Sequence, residues 1–280
     1  MSDAGEFVTT LGHPAPKRPD REDDSLIETF VGIAKAKRRL AGQLNVDPYT
    51  HYLPLADELG KVASYSAVGG FGIDKALGFV PGVGGMVISG LGTLDSVTDR
   101  TLDLDPGESA AANRERLEKL RMPEKTINEL LLNDKLTPTE KTQAVGYLVA
   151  LSGTSGLSSL ASFVATSDTR RDAFAAVQAL AYIASRVAKD DRIAGLHVID
   201  DIPVVTVGGG KNVAVFTADA LAWTPRNADQ LTKLTRLVPG GGKAGGDREL
   251  RISGDVSALA TKELRRLGWA VKANSFAALR

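Results

Sequence analysis

The sequence contains one place where a predicted strand ends directly before a predicted helix, in "RISGDVSALATKEL". We expect Ser253 and Gly254 to end the strand, and the helix to begin close to Asp255 or Val256. The carboxyl end of a strand that faces a helix N-terminus is where open α/β sheets bind anionic ligands. The carboxylate of Asp255 disfavours a phosphate there, because it can cap the helix itself. Ser253, Gly254 and Asp255 are therefore weak candidates for ligand binding, with helix capping as the alternative for Asp255.

Acid–base chemistry has two weak candidates, His197 and Asp219. His197 lies on a predicted strand near Asp200 and Asp201 and could act as a base. A buried or edge-strand histidine with a structural role is the alternative. An enzyme built here would have a concave polar pocket at Ser253, into which His197 or Asp219 points. The chain has no G-x-S-x-G nucleophile elbow and no complete catalytic signature. The sequence thus leaves enzyme activity uncertain and leans against it.

Two glycine-lysine loops resemble phosphate-binding loops but do not have the required pattern. They are "GGGKN" at 208–212 and "PGGGKAGG" at 239–246. A P-loop needs GxxxxGK[ST] between a strand and a helix, so that backbone amides surround the phosphates and the hydroxyl binds magnesium. Here the residue after the lysine is asparagine in the first loop and alanine in the second, and both loops lead into predicted strands. We therefore expect no nucleotide at either loop, and no cofactor elsewhere.

Composition excludes several classes of site and partner. The 280-residue chain contains no cysteine, so disulfides, thiolate metal sites and cysteine nucleophiles are excluded. Its three histidines are far apart in sequence, and we expect no metal site. Lysine plus arginine total 34, and aspartate plus glutamate also total 34. A formal net charge of zero does not favour nucleic acid, which binds basic surfaces, so we expect no nucleic-acid partner.

An apolar, glycine-rich segment over residues 62–94 bears most directly on function. Its central part, "GFGIDKALGFVPGVGGMVISGLGTL" at 70–94, includes nineteen consecutive uncharged residues at 76–94. That is about the length of a membrane-spanning helix, although Pro81 and repeated glycines dilute its apolar character. Gly78, Gly82 and Gly85 form a small-residue seam, which lets helices approach closely in lipid or in a soluble bundle.

Three interpretations of this segment remain open. The default is two short helices that join near Pro81 and stay buried in a helical bundle. The second is a segment that contacts or enters a membrane, and the third is a mobile lid or an oligomer contact. The residues that we expect to meet a membrane or a partner are Gly78, Pro81, Gly82, Gly85, Val87 and Ile88.

Hydrophobic periodicity places these residues in an α+β fold. The period is helical over most of the first two-thirds and becomes strand-like near Gly195. We predict a disordered leader over 1–24, an all-helical bundle over 25–192 and a small α/β domain over 193–280 with the element order β-β-β-α-β-α-β. The pair Thr137 and Glu140 predicts a capping box, and Thr224 is the predicted N-cap of a later helix.

Three blocks of the sequence are similar to a known family. They are "AKRRLAGQLNVDPYT" at 36–50, "LLLNDKLTPTEKTQAVGYLVAL" at 130–151 and "LRISGDVSALATKELRRLGWAV" at 250–271. They resemble the characteristic blocks of a family of bacterial proteins to which no activity is assigned, so no catalytic residue is carried over. Many members are longer and exported, which implies the periplasm or cell envelope. This chain begins without a signal peptide, so we expect it in the cytoplasm if it is complete.

The leading functional hypothesis is a non-enzymatic interaction or scaffold protein of the bacterial cell envelope. It has a protein partner or associates with itself, and it contacts a membrane surface through residues 62–94. The alternative is an enzyme or a small-ligand-binding protein that uses the strand-end site of the α/β domain. The two hypotheses differ at Ser253, where the alternative requires a polar pocket and the scaffold hypothesis accepts a fully packed surface.

Overall fold

A computed structural model describes residues 21–44, 46–69, 104–187, 192–238 and 247–276. Helices form the N-terminal part, and a mixed sheet with helices forms the C-terminal part, so the predicted α+β fold class is confirmed. The first twenty residues of the predicted leader lie outside the described residues, and helix α1 begins at Arg21. Residues 70–94 also lie outside them, with all six of the predicted contact residues from Gly78 to Ile88.

A helical hairpin begins the described chain. Its helices are α1 (Arg21–Gln43) and α2 (Leu53–Gly69), and they pack mainly against each other. The buried residues Leu40, Ala41 and Leu59 form a small core that is separate from the other two cores of the described chain. The hairpin is therefore held together by its own contacts, and its connecting loop remains available for contacts with the rest of the protein.

Five further helices form a bundle, and three of them begin at a residue whose side chain caps the helix. They are α3 (Pro106–Lys119), α4 (Glu124–Leu132), α5 (Pro138–Ala150), α6 (Leu157–Ala165) and α7 (Arg170–Tyr182), followed by a π-helical turn at Ile183–Val187. The predicted capping box of α5 is present, because Thr137 Oγ1 accepts from the Glu140 N–H and Glu140 accepts from the Thr137 N–H. Asp105 and Glu108 form the same box at α3. Each box satisfies backbone donors that a helix start leaves free.

The sheet follows the bundle in the order that the sequence predicts. Its segments are β1 (Ile193–Ile199), β2 (Ile202–Val207), β3 (Asn212–Phe216), β4 (Ala220–Leu221), α8 (Pro225–Leu237), β5 (Arg248–Ile252), β6 (Asp255–Val256), α9 (Ala258–Arg266) and β7 (Ala270–Lys272). The strand order is β1-β2-β3-β5-β7, antiparallel from β1 to β3 and parallel from β3 to β7. Strands β4 and β6 form a separate parallel pair, which the sequence did not predict because each has two residues.

The main sheet is covered on both faces. Valines of β2 and β3, with Leu196 of β1, share one core with the helices of the bundle. Leu250 and Ile252 of β5 lie in the other core, which α8, α9 and Trp269 complete. The sheet therefore lies between two helical layers, and its alternating side chains supply both cores.

One glycine allows the bundle to approach the sheet closely. Gly156 has φ +81°, and a Cβ placed on it would lie 1.8 Å from the Leu196 carbonyl oxygen. The neighbouring Ser155 carbonyl oxygen accepts a hydrogen bond from the Leu196 N–H at 2.8 Å. The turn between α5 and α6 thus contacts the backbone of β1 directly, at a distance that only glycine permits.

Candidate functional site

Two charged residues are buried on the bundle-facing side of β5. Leu250 and Ile252 face α8 and α9, so the alternation of the strand turns Glu249 and Arg251 to the opposite side. Both are almost fully buried, at 3% and 5% relative exposure. Buried charges need partners, because transfer from water into the protein interior is costly for an isolated ion. The partners of this pair therefore define the site.

Four residues around this pair form an ion network, which we call the Glu249 cluster: Lys211, Glu249, Arg251 and Lys272. Glu249 Oε2 accepts from Lys211 Nζ at 2.7 Å, and Glu249 Oε1 accepts from Arg251 Nε at 2.5 Å. Lys272 Nζ lies 3.2 Å from Glu249 Oε1. Arg251 Nη1 donates to Tyr182 Oη at 3.4 Å, which links the cluster to α7. One carboxylate therefore holds three cationic side chains from three parts of the α/β region.

The side chains above Arg251 are aromatic. Tyr182 stacks on Phe276 with ring centroids 4.3 Å apart and an angle of 9° between the ring planes. Both rings are largely buried. Arg251, at 5% exposure, is therefore a buried support of the cluster, while the side chains of Lys211 and Lys272 reach the solvent.

The electrostatics of the Glu249 cluster favour permanent charges. Burial raises the pKa of Glu249, but hydrogen bonds from Lys211 and Arg251 and the contact with Lys272 outweigh it and lower the pKa from 4.5 to about 2. Burial lowers the pKa of Arg251, and the hydrogen bond to Glu249 outweighs it, so the net shift is upward. A general base needs a pKa near the working pH. Glu249 is therefore suited to holding cations rather than to transferring protons.

The predicted ligand residues Ser253 and Gly254 have internal partners. Ser253 Oγ accepts from the Ala218 N–H and donates to the Ala218 carbonyl oxygen, both at 2.8 Å. A Cβ on Gly254 would lie 2.0 Å from the Asp219 carbonyl oxygen. The chain between β3 and β4 therefore packs directly against the end of β5. The hydroxyl of Ser253 therefore joins the chain after β5 to the chain after β3.

Asp255 does not cap the following helix, so that prediction is wrong. Asp255 lies in β6 and pairs with Ala220 of β4, and its Oδ1 accepts from Asn274 Nδ2 at 2.9 Å. The N-cap of α9 is Ser257, whose Oγ accepts from the Ala260 N–H at 3.2 Å. The pairing of β6 with β4 keeps Asp255 in an extended conformation, and the helix therefore begins later than the sequence suggested.

The two acid–base candidates lie apart from each other. His197 is exposed on β1, an edge strand that is three positions from β5 in the sheet. At about 4.8 Å for each step between strands, β1 and β5 are roughly 14 Å apart. His197 is therefore far from the strand end at Ser253. Asp219 is exposed after β3, and its carbonyl oxygen accepts from the Asp255 N–H at 2.9 Å. The structure thus brings Asp219 to the strand end through its backbone and leaves His197 elsewhere on the sheet.

A second polar contact joins the hairpin loop to the bundle. Asp47 Oδ2 accepts from Thr137 Oγ1 at 2.6 Å, and Asp47 Oδ1 accepts from Thr139 Oγ1 at 2.8 Å. Asp47 Oδ1 also accepts from the Tyr49 N–H at 2.9 Å. A single carboxylate thus holds its own turn and docks that turn on the first turn of α5. These partners are about ninety residues away from Asp47 along the chain, so no local pattern in the sequence predicts them.

An open hollow of about 560 Å³ lies between the C-terminal ends of α4 and α6. Asn133 Nδ2 donates to the carbonyl oxygens of Ala165 and Ser167 at 2.9 and 3.1 Å, which holds the two helix ends together. Leu132, at the wall of the hollow, is 79% exposed.

Nowhere in the described part of the chain do three His, Asp or Glu side chains group so that they could hold a metal ion.

Sequence reasoning did not find the Glu249 cluster, although "RELRI" carries a signal for it. Charged residues alternate there with Leu and Ile, and a strand between two helical layers buries both of its faces. The charged positions of such a strand need ionic partners. The identity of those partners depends on the pairing of β3, β5 and β7, which no local pattern specifies.

No helix within the described ranges has both the length and the apolar character needed to cross a membrane. The chain matches no protein-family model, and neither a curated protein nor a solved structure is significantly similar to it.

Proposed function

We propose that this protein is a non-enzymatic interaction or scaffold protein of the bacterial cell envelope that contacts a membrane surface through residues 62–94. One observation carries the proposal, which is the exposure of large apolar side chains on the α1–α2 hairpin. Five of them are between 58% and 75% exposed: Phe30, Val31, Tyr52, Leu53 and Tyr65. Large apolar side chains that are exposed along one hairpin are available for contact with another protein or with a membrane.

The chain that follows α2 supports membrane contact. Tyr65 lies within segment 62–94, and α2 ends at Gly69, directly before the glycine-rich stretch 70–94. On α1, Lys35 and Arg39 are exposed. Basic side chains beside apolar and aromatic ones are typical of helices that bind at the interface of anionic bilayers.

The contacts at the strand end of the α/β domain favour the scaffold hypothesis over the enzyme alternative. Ser253 Oγ has two hydrogen bonds to Ala218, and the backbone of Asp219 occupies the space beside Gly254. A ligand at this position would have to displace these internal contacts. Glu249, whose pKa is lowered to about 2, is not suited to act as a general base at neutral pH.

Vesicle co-sedimentation tests the membrane part of the proposal. We expect the wild-type chain to sediment with vesicles containing phosphatidylglycerol, and the Gly78→Leu/Gly85→Leu variant to sediment less, because leucine prevents close packing along the small-residue seam. The control is Val87→Leu/Ile88→Leu, which changes neither the seam nor the apolar character and should bind like the wild type. A wild-type chain that stays in the supernatant at every lipid concentration would contradict membrane contact.

A protein partner needs a separate measurement. Light scattering during size-exclusion chromatography reports self-association of the full chain in the absence of lipid. If the exposed side chains of the hairpin form the contact, Phe30→Ser/Tyr65→Ser should lower the apparent mass of any oligomer. An oligomer of unchanged mass in this variant would exclude the hairpin as its interface.

A further inference from the structure

The Glu249 cluster carries more positive than negative charge. Lys211, Arg251 and Lys272 contribute three cations, and Glu249 contributes one carboxylate. The cluster therefore has a net charge of about +2 on ordinary ionisation at neutral pH. Neutralising a buried carboxylate requires one cation, and Arg251 alone already provides a hydrogen bond within the strand. The two lysines are in excess of what the burial of Glu249 requires.

The two lysines reach the solvent from the same carboxylate. Lys211 Nζ lies 2.7 Å from Oε2 of Glu249, and Lys272 Nζ lies 3.2 Å from Oε1. Their side chains are 31% and 58% exposed. The two oxygens of a carboxylate are about 2.2 Å apart, so the two ammonium groups are at most about 8 Å apart. One tetrahedral oxyanion can accept a hydrogen bond from each of them.

Both ammonium groups have donors beyond those that Glu249 uses. A lysine ammonium has three N–H donors, and the contact with Glu249 takes one from each of Lys211 and Lys272. The carboxylate orders two flexible side chains before any ligand arrives, which lowers the entropic cost of binding. Arg251 and Glu249 thus act as positioning residues, and the lysines supply the contacts.

We propose that Lys211 and Lys272 bind a phosphate dianion, as inorganic phosphate or as a phosphomonoester, at the rim of the Glu249 cluster. A phosphomonoester carries a charge of about −1.5 to −2 at pH 7, which matches the excess charge of the cluster. Lysine binds phosphate as a point charge, with charge-assisted hydrogen bonds from its ammonium group. This site uses the side chains of Lys211, directly before β3, and Lys272, at the end of β7. It therefore does not need the backbone cradle of a P-loop, which "GGGKN" lacks.

A phosphate titration of the full chain tests the proposal. The melting temperature is measured at increasing sodium phosphate, with sodium chloride at matched ionic strength as the reference, since a ligand of the folded state raises stability with its concentration. We expect the wild type to melt at a higher temperature in phosphate. Lys211→Gln and Lys272→Gln should each weaken phosphate affinity about tenfold or more, because each removes a charge-assisted contact.

Two further variants separate binding from folding. Lys272→Arg keeps the charge and should retain most of the affinity. Lys125→Gln removes a lysine whose side chain is 85% exposed on α4 and should bind phosphate like the wild type. Equal melting temperatures of the wild type in phosphate and chloride would overturn the proposal. So would an unchanged phosphate affinity in both Lys211→Gln and Lys272→Gln.

A lipid headgroup and a free phosphate are distinguished by a vesicle arm. Phosphatidate has a monoester headgroup, whereas phosphatidylglycerol has a diester headgroup with a single negative charge. Binding that prefers phosphatidate vesicles and depends on Lys272 supports the site with a lipid as the source. Phosphate binding without that preference supports it with a soluble phosphate. The phosphate site uses no residue of segment 62–94. The Gly78→Leu/Gly85→Leu variant should therefore bind phosphate like the wild type, even if it no longer binds vesicles.

Discussion

Removal of the Glu249 carboxylate should destabilise the protein strongly at neutral pH. In Glu249→Gln, three cationic side chains lose the charge that holds them, and Arg251 stays buried at 5% exposure. Breaking a buried ion pair by removing one partner costs about 3–5 kcal/mol. We therefore expect the free energy of unfolding at pH 7 to fall by about that amount, measured by urea denaturation.

The same residue gives a pH dependence whose sign follows from its pKa. The folded-state pKa of Glu249 is lowered from 4.5 to about 2, so its stabilisation is fully present above the unfolded pKa and is lost as the pH falls through the folded one. A shift of this size corresponds to about 3 kcal/mol, at 1.36 kcal/mol for each pKa unit. The difference in unfolding free energy between the wild type and Glu249→Gln should therefore shrink between pH 5 and pH 2.

The assay compares the two proteins at each pH, so that the titration of other carboxylates largely cancels. Glu115→Gln provides the matched control, because Glu115 lies at the surface of α3 and pairs with Lys119 on the same helix. Exposed pairs of this kind contribute little to stability, and the control should follow the wild type at every pH. If the difference in unfolding free energy between the wild type and Glu249→Gln stays constant from pH 5 to pH 2.5, the reasoning is refuted.

Two further predictions concern the contacts that join the parts of the fold. Gly156→Ala should lower the free energy of unfolding by about 3 kcal/mol or more, because its Cβ would clash with the Leu196 carbonyl at 1.8 Å in a left-handed conformation. Gly209→Ala is the control, since Gly209 has φ +83° and open space around it, and it should cost only about 1 kcal/mol. If urea denaturation gives the two variants equal losses of unfolding free energy, the close contact between Gly156 and Leu196 is contradicted. Asp47→Ala should cost about 2 kcal/mol and speed amide hydrogen exchange in the hairpin, because a charged acceptor of three hydrogen bonds is lost. Thr139→Val removes only one of those hydrogen bonds and should have a smaller effect. If amide exchange in the hairpin is the same in Asp47→Ala as in the wild type, Asp47 does not anchor the hairpin.

The sequence predicted the elements whose signals are local. Thr137 and Thr224 begin helices as expected, because an N-cap and its N–H partner are three residues apart. The strands and helices of the main sheet also follow the predicted element order, because strand and helix periodicity are local signals. Gly268 lies two residues after the end of α9 and has φ +88°, a left-handed conformation that is typical of the chain just past a helix C-terminus.

The site could be predicted only in part, because its contacts are not local. Asp255 was assigned to a helix start, yet the short pairing of β6 with β4 decides its conformation. The two lysines of the Glu249 cluster come from positions 38 residues before Glu249 and 23 after it, and strand pairing brings them together. Glycine and serine at a strand end suggested a ligand site, whereas in the structure they form the packing between two loops.

The central claim is that residues 62–94 contact a membrane, and a fluorophore at Val87 tests it most directly. The chain has no cysteine, so Val87→Cys can be labelled at a single position with a dye whose emission shifts to shorter wavelength in an apolar environment. Lys125→Cys, on the exposed surface of α4, provides the control. We expect vesicles of phosphatidylglycerol to shift the emission of the label at position 87 and to leave the label at position 125 unchanged. An emission at position 87 that is unaffected by vesicles, or shifts equally at both positions, would contradict membrane contact through this segment.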